Sequence, residues 1–221
     1  MFNSNICLIL CPLVNLIDMD KKEQILNAAI QLFAEKGFEG SSIRDIASSA
    51  DVNIAMINYY FGSKEKLFEA LVQTKASNTR IVLDEIANDK TISSLEKIDR
   101  IIDAYVERLF KGRLFHRVIH QEIMLGHREP LQQIIVNLLY PNSEIIRGII
   151  ETGMKKGEFK KVDPELTVGS LVGTINQVLQ SKKFCNLFMR KEEDYDPYDD
   201  PKFRKRVIDH LKQLMRNHLL K

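Results

Sequence analysis

The chain has 221 residues, of which 44% are hydrophobic and 28% are charged, and its formal net charge is +2. This composition is ordinary for a soluble globular protein with one large or two modest domains, and it excludes a polycation that binds nucleic acid through its overall charge. Three cysteines, Cys7, Cys11 and Cys185, show no paired spacing, which argues against a disulfide framework and indicates a reducing, cytoplasmic compartment.

Residues 1–18 form a mostly apolar leader. No Lys or Arg precedes its apolar stretch, Pro12 and Asn15 interrupt it, and no small-residue cleavage site follows, so a signal peptide is not indicated. The stretch is also too short to span a bilayer, and we expect no membrane partner. Met19 lies directly before the first strong helix start. We interpret Met19 as the natural start of the protein, with a flexible or loosely docked arm as the alternative.

The first two predicted helices are bounded by local signals. Asp20 opens the first helix with capping-box spacing to Glu23, and Gly37 ends it because glycine accepts the left-handed conformation. Apolar residues between these limits recur at helical spacing and predict one buried face. A second helix is predicted from Ile43 to about Ala50, capped by the serine before it.

A third, short helix is predicted over residues 54–61, after the turn 51–53. Gly62 ends this helix and Ser63 caps a fourth, long one, which we expect to link two domains. Two short helices separated by a three-residue turn have the spacing of a helix-turn-helix, whose second helix lies in the major groove of DNA. Helix pairs of this kind also occur as plain packing units, which is the alternative.

Four positions in and between these two helices favour the DNA-binding interpretation. The small Ala47 lets the second helix approach the first closely, and Ile57, together with Val52, fills the space between them. Asp51 lies in the turn, where a positive backbone angle is often needed. Aspartate is among the few residues other than glycine that tolerate such an angle.

Beyond about residue 79 the pattern changes to longer amphipathic helices, predicted at roughly 93–111, 113–126, 130–155, 164–184 and 203–220. Pro130 lies at a helix start, whereas Pro141 is predicted to kink or break the helix around it. The pair Asp163–Pro164 is a helix start signal. The acidic, proline-bearing residues 192–200 are predicted to form a loop. The predicted fold class is therefore all-α.

The run GFEGSSIRDIASSADVNIAMINYYFGSKEKL, from Gly37 to Leu67, resembles the DNA-binding signature of the TetR family of bacterial transcription regulators. Its ending, YYFxSKExL, is especially typical, and Asp51 replaces a more usual glycine. The stretch GMKKGEFKKVDPEL, from Gly153 to Leu166, resembles a recurring phrase in the sensor domains of that family. The resemblance implies a three-helix DNA-binding domain at residues 19–75 and a helical domain for ligand sensing and dimerisation at residues 76–221.

The residues predicted to contact DNA combine base-reading and phosphate-binding side chains. Asparagine can pair with adenine edges, alanine and methionine can touch a thymine methyl, and tyrosine hydroxyls, arginine and lysine can bind phosphates. Lys64 is the preferred phosphate anchor. Eight acidic residues outnumber seven basic ones between Met19 and Lys75, so the positive charge must be local. The predicted set is Ser42, Arg44, Asn53, Ala55, Met56, Asn58, Tyr59, Tyr60 and Lys64.

A regulator of this kind needs a signal, which we expect to be a partly apolar small molecule bound among the middle helices. The candidate pocket residues are Tyr105, Phe115, Ile119, Met124, Met154, Asn176 and Gln177. The alternative for each apolar residue is a plain core position. His116 and His120 have metal-chelating spacing, but no cysteine joins them and Gly126 should end their helix before His127. Solvent-facing or hydrogen-bonded histidines are the preferred interpretation, and no cofactor is expected.

The last two predicted helices carry apolar stripes. By the resemblance, these stripes should pair with their mates in a four-helix interface of a homodimer, with Gly169 and Gly173 permitting close approach. The alternative is that both stripes pack within one monomer. The basic run 202–206 is predicted to be a solvated helix face. The stripe residues are Leu166, Leu171, Ile175, Val178, Leu179, Val207, Leu211, Leu214 and Met215.

The expected function is a cytoplasmic, sequence-specific regulator, by default a repressor, that a small molecule releases from double-stranded operator DNA. An enzyme is a weak alternative, because the sequence has no nucleophile elbow, no phosphate-binding glycine loop and no recognisable pair of catalytic carboxylates. A helical bundle that only binds other proteins is the second alternative. It would lack sequence-specific DNA binding.

Overall fold

The computed structural model describes residues 7–126, 128–179 and 181–221, with side chains from Lys21 onward except at residue 179. Within these residues the fold is entirely helical, which confirms the predicted class. The helices are α1 (Cys7–Lys36), α2 (Ile43–Ser49), α3 (Ile54–Phe61), α4 (Lys64–Asn88), α5 (Ser94–Lys111), α6 (Arg113–Leu125), α7 (Glu129–Lys155), α8 (Pro164–Leu179), α9 (Lys182–Phe188) and α10 (Pro201–Leu219). No helix in the described part is both long and apolar enough to cross a membrane.

The chain divides into two compact units, Met1–Val72 and Gln73–Lys221. The core of the first unit is built on three aromatic rings, those of Phe33, Phe38 and Phe68, whose centroids lie 5.4 to 6.0 Å apart. All three side chains are buried, and aromatic pairs at this distance add stability beyond their buried area. This cluster joins α1 to the start of α4.

The start of α1 differs from the prediction. The helix begins at Cys7 and continues to Lys36 without interruption, so Asp20 does not open it. Residues 13–20 contain neither glycine nor proline, and nothing in them stops a helix that has already begun. The prediction for the leader falls partly outside the described residues, since residues 1–6 are not among them.

The core of the second unit lies between α5, α7, α8 and α10. It takes up most of the stripes predicted for the dimer interface, which is a correction to the sequence analysis. α10 packs on α5, so the apolar face of α10 covers its own protomer. Of the stripe residues with described side chains, only Leu166 and Leu214 are exposed, and Val178 packs partly buried on the core. The buried ones are Leu171, Ile175, Val207, Leu211 and Met215.

Ion pairs run along the contact between α5 and α10. Lys212 and Asp103 are 2.7 Å apart, Arg204 lies 3.1 Å from Glu107, and Arg216 pairs with Asp99. Each pair includes a partly exposed side chain and contributes at most about 1 kcal/mol. Their order fixes the antiparallel register of the two helices. Arg204 is thus withdrawn from the solvated basic face that the sequence predicted.

Two predictions for the helices of the second unit differ from the structure. The helix predicted over residues 130–155 is α7, and Pro141 lies inside it without breaking it, because buried residues before and after it hold both halves in place. A kink at Pro141 stays a prediction. The single helix predicted over residues 164–184 is two helices. α8 ends at Leu179, and the Ser181 hydroxyl accepts a hydrogen bond from the Phe184 N–H at 3.3 Å to cap α9.

α7 ends in a tight turn at Gly157, whose φ is 74°. The N–H groups of Glu158 and Phe159 both donate to the Gly153 carbonyl, at 2.9 and 3.1 Å. The buried Phe159 ring then lies against the Gly153 backbone, where a Cβ would overlap it. This close approach explains Gly153, and the positive φ explains Gly157, the two glycines in the stretch GMKKGEF.

Replacing Gly153 by alanine should destabilise the protein by about 1–3 kcal/mol, because the added Cβ forces the Phe159 ring or the helix to move. Gly148 lies on the same helix with open space where a Cβ would be added, so Gly148→Ala is the matched control. That change should be neutral or stabilise by up to about 1 kcal/mol. Urea denaturation followed by circular dichroism measures both, and equal losses in the two variants would contradict the packing assignment.

Candidate nucleic-acid interface

The start of α2 is fixed by a capping box, as predicted. The Asp45 N–H donates to the Ser42 hydroxyl oxygen at 3.1 Å, and the Ser42 N–H donates to the Asp45 carboxylate at 3.0 Å. The Ser42 hydroxyl also donates to that carboxylate, and these hydrogen bonds hold the pKa of Asp45 below its ordinary value. Arg44, one residue into the helix, leaves its side chain exposed.

The turn between α2 and α3 has the predicted geometry. Asp51 has a φ of 51°, and the Val52 N–H donates to the Ala47 carbonyl at 3.0 Å. Ala47 and Ile57 are both at most 2% exposed, so the inner faces of the two helices are closed. The Asn53 side chain caps α3 by accepting from the Ala55 N–H at 2.9 Å.

The outer face of α3 is uncharged and solvent-exposed. Ala55 and Asn58 are exposed, Tyr59 is 82% exposed, and Met56 is half-buried. Tyr60 turns partly inward, with its ring 5.3 Å from that of Tyr59. The face therefore offers an amide, methyl groups and a phenol, which are groups suited to base edges and phosphates.

Lys64 is placed differently from a free phosphate anchor. Its ammonium donates to the backbone carbonyls of Phe38 and Ser41, at 2.9 and 3.2 Å, and lies 4.3 Å from the centroid of the Phe38 ring. Two of its three donors are thus used inside the protein. Lys64 holds the connection between α1 and α2 against the start of α4.

The predicted effector residues lie at different depths in the second unit. Tyr105 is partly buried, and burial raises its pKa to about 12, while Ile119 is buried and Phe115 half-buried. Met154 packs on the core, and its sulfur accepts a hydrogen bond from the Val162 N–H at 3.5 Å. The remaining apolar and amide candidates lie at the surface. These are Met124, which is 70% exposed, and Gln177.

His116 and Asn176 are brought together between α6 and α8. Burial lowers the pKa of His116, and a contact with the Asn176 side chain partly opposes this shift. The His116 Nε2 and Asn176 Oδ1 atoms are buried and reach no good hydrogen-bond geometry with any described residue. Among the described residues no three metal-ligating side chains cluster, although His120 is nearby on α6. His127, which the sequence analysis also named, lies outside the described residues.

The structure also shows features that the sequence analysis missed. A cleft of about 310 Å³ lies between α4 and α7 and includes Arg80 in its wall. Glu122, only 1% exposed, forms a two-pronged ion pair with Arg128, at 2.9 and 3.0 Å. A buried charge needs a partner of opposite charge. Which residue becomes that partner depends on the fold, so the pair could not be recognised from the sequence.

Comparison with known proteins matches both units to families. The family "Bacterial regulatory proteins, tetR family" matches residues 25–71, and "Tetracyclin repressor-like, C-terminal domain" matches residues 91–180. The protein named "Probable HTH-type transcriptional regulator YttP" of Bacillus subtilis is 33% identical over 139 residues, which cover 62% of this chain and 67% of YttP.

Two further similarities concern fatty acid regulators. The "Fatty acid metabolism regulator protein" of Bacillus subtilis is 28% identical over 160 residues, which are 72% of this chain and 81% of that protein. The solved structure of the transcriptional regulator FadR from Bacillus subtilis, in complex with stearoyl-CoA, has a TM-score of 0.68 at 25% identity. The match covers 86% of this chain and 96% of that one.

The positive φ at Asp51 predicts how substitutions there behave. Asp51→Gly should change the free energy of unfolding by less than about 1 kcal/mol, because relief of strain offsets the greater freedom of glycine in the unfolded chain. Asp51→Val should cost about 1–2 kcal/mol or more, since a β-branched side chain does not tolerate this conformation. Thermal denaturation of both variants tests this, and a valine variant as stable as the glycine one would contradict the turn geometry.

Proposed function

Because the chain belongs to the TetR family of DNA-binding transcription regulators, we propose that it is a repressor which a small molecule releases from operator DNA. The observation that carries the proposal is the uncharged, exposed face of α3 on a closed helix-turn-helix. This face has the chemistry of major-groove recognition, and none of the side chains that the structure describes buries it. Binding to operator DNA places the protein in the cytoplasm.

The proposed contacts divide into two kinds. Asn58, Ala55 and Met56 are assigned to base edges, where an amide can pair with adenine and methyl groups can touch thymine. Tyr59 and Arg44 are assigned to phosphates, together with the free N–H donor of Lys64. The other predicted residues have supporting roles: Ser42 and Asn53 cap the two helices, and Tyr60 supports Tyr59.

We assign dimerisation to the outer face of α8. Gly169, Ser170 and Gly173 are exposed there, beside the exposed Leu166, and small residues allow two helices to approach closely. A two-fold dimer would present two copies of α3 about 34–36 Å apart, which matches successive major grooves of a palindromic site.

We assign release of DNA to a partly apolar effector bound in the second unit. His116 and Asn176 are suited to hold a polar group of such a molecule, because their buried polar atoms need a partner. Acyl-CoA thioesters are the first class to test, since the similar FadR structure contains stearoyl-CoA. The effector would act by binding one conformer of the dimer more tightly than the DNA-binding one.

The proposed phosphate and base contacts predict separable effects on DNA binding. Fluorescence anisotropy with DNA from the region upstream of the protein's own gene should show tight, salt-sensitive binding that competitor DNA does not displace. Tyr59→Ala should weaken binding about tenfold or more. Arg44→Gln should weaken it and reduce the slope of log affinity against log salt by about one. Lys111→Gln, which removes an exposed charge from α5, is the control and should change nothing.

Wild-type binding no stronger than to competitor DNA would refute operator recognition at this site. It would favour a helical bundle that binds other proteins.

Lys64 should behave differently from Arg44. Lys64→Gln removes two hydrogen bonds to backbone carbonyls and the contact with the Phe38 ring, so it should lower the melting temperature as well as DNA affinity. Arg44→Gln should lower affinity alone. A Lys64 variant with full stability but no DNA binding would restore the simpler assignment of Lys64 as a phosphate anchor.

A further inference from the structure

The cleft between α4 and α7 belongs wholly to the second unit. On α4 its wall follows one helix face, from Gln73 and Ser77 to Arg80, Ile81 and Asp84. Its volume of about 310 Å³ corresponds to roughly ten water molecules and lies at the lower end of the range for small-molecule sites. The cleft therefore suits a ligand with on the order of ten non-hydrogen atoms.

The α7 wall of the cleft is mostly apolar. Leu138 and Pro141 supply the apolar surface, one turn apart. Pro141 has no N–H, so it cannot donate to the carbonyl of Asn137, four residues earlier, as a helix residue normally does. Asn137 also lines the cleft.

Arg80 is the positive group of the cleft and is held in place from behind. Its Nε donates to the Asn142 Oδ1 at 3.2 Å, and the Asn142 amide donates in turn to the Ala76 carbonyl at 3.2 Å. Asn142 is only 8% exposed, so this support is buried. In the part of the chain that the structure describes, no carboxylate forms an ion pair with Arg80. The outer guanidinium nitrogens are thus left for a partner that the protein does not supply.

We propose that the α4–α7 cleft binds a small anionic amphiphile, with Arg80 taking its carboxylate or phosphate group and Ile81, Leu138 and Pro141 covering its apolar body. A guanidinium whose orientation is fixed at Nε can form two parallel hydrogen bonds to such an anion. The apolar residues then exclude water from the bond and strengthen it. Asp84, one turn beyond Arg80, opposes a second negative charge and confines the anion to the Arg80 end.

The regulatory part of this proposal rests on the proposed function. One wall of the cleft is formed by residues 73–84 of α4, and the same helix begins at Lys64, shortly after the end of α3. A ligand that binds between α4 and α7 contacts α4 directly. We assign it the role of lowering operator affinity through a shift of α4.

The binding test uses isothermal titration calorimetry of the full chain with sodium octanoate and octyl phosphate. Octanol, which has the same chain length and no charge, is the control ligand. Both anions should bind at least several-fold more tightly than octanol. Arg80→Gln should weaken the anions about tenfold and leave octanol unchanged, whereas Arg80→Lys should retain part of the affinity. Asp84→Asn should strengthen the anions. Lys75→Gln, which removes a positive charge from α4 outside the cleft, is the matched control.

Circular dichroism establishes that each variant is folded, and the outcomes separate the two claims. A preference for octanoate assigns the site to carboxylates, and a preference for octyl phosphate assigns it to phosphate-bearing ligands. Equal binding of octanol and both anions, or unchanged anion binding by the glutamine variant, overturns the site. Operator binding without ligand should be the same for wild type and Arg80→Gln, and its absence in both would overturn the proposed function instead. Octanoate that binds the cleft without weakening operator binding overturns the regulatory role alone.

Discussion

The position of α3, the helix proposed to read DNA, depends on Phe38, which two different kinds of contact hold in place. On one side its ring packs against Phe33 and Phe68 in the core of the first unit. On the other side its ring and its carbonyl meet the Lys64 ammonium. A cation over an aromatic ring that also donates to carbonyls fixes a connection that has no regular structure of its own. α2 begins directly after this connection, so the orientation of both short helices follows from it.

Much of the first unit could be predicted because its signals act over a few residues. The Ser42–Asp45 capping box, the positive φ at Asp51 and the glycine after α3 are each decided by local sterics and hydrogen bonding. The start of α1 was the exception. Asp20 has the chemistry of a cap, but a cap matters only where the preceding backbone is not already helical.

The second unit was harder to predict because its outcomes depend on which helices meet. The stripe on α10 was recognised as apolar, but an apolar stripe does not say whether it faces its own core or a partner. The packing of α10 on α5 decides this, and the ion pairs between the two helices join residues more than 90 positions apart. Pro141 is a second example. The free-energy cost of a proline inside a helix is offset by the burial of α7 on both sides of it, and that burial depends on which helices pack there.

The same distinction between local and long-range signals applies to the exposed face of α3 and to the α4–α7 cleft. It also bears on how the protein responds to a ligand. Side chains on the exposed face of α3 could be named from one short motif, whereas Arg80 and Asn142 lie 62 positions apart and neither stands out by type. Arg80 is nevertheless the better-placed group for regulation. A ligand can shift an equilibrium only by as much as it distinguishes the two conformers. A guanidinium tied to α7 through Asn142, on a helix whose first residue is tied to Phe38, makes such a distinction possible, because moving α4 against α7 changes the geometry of the anion site itself.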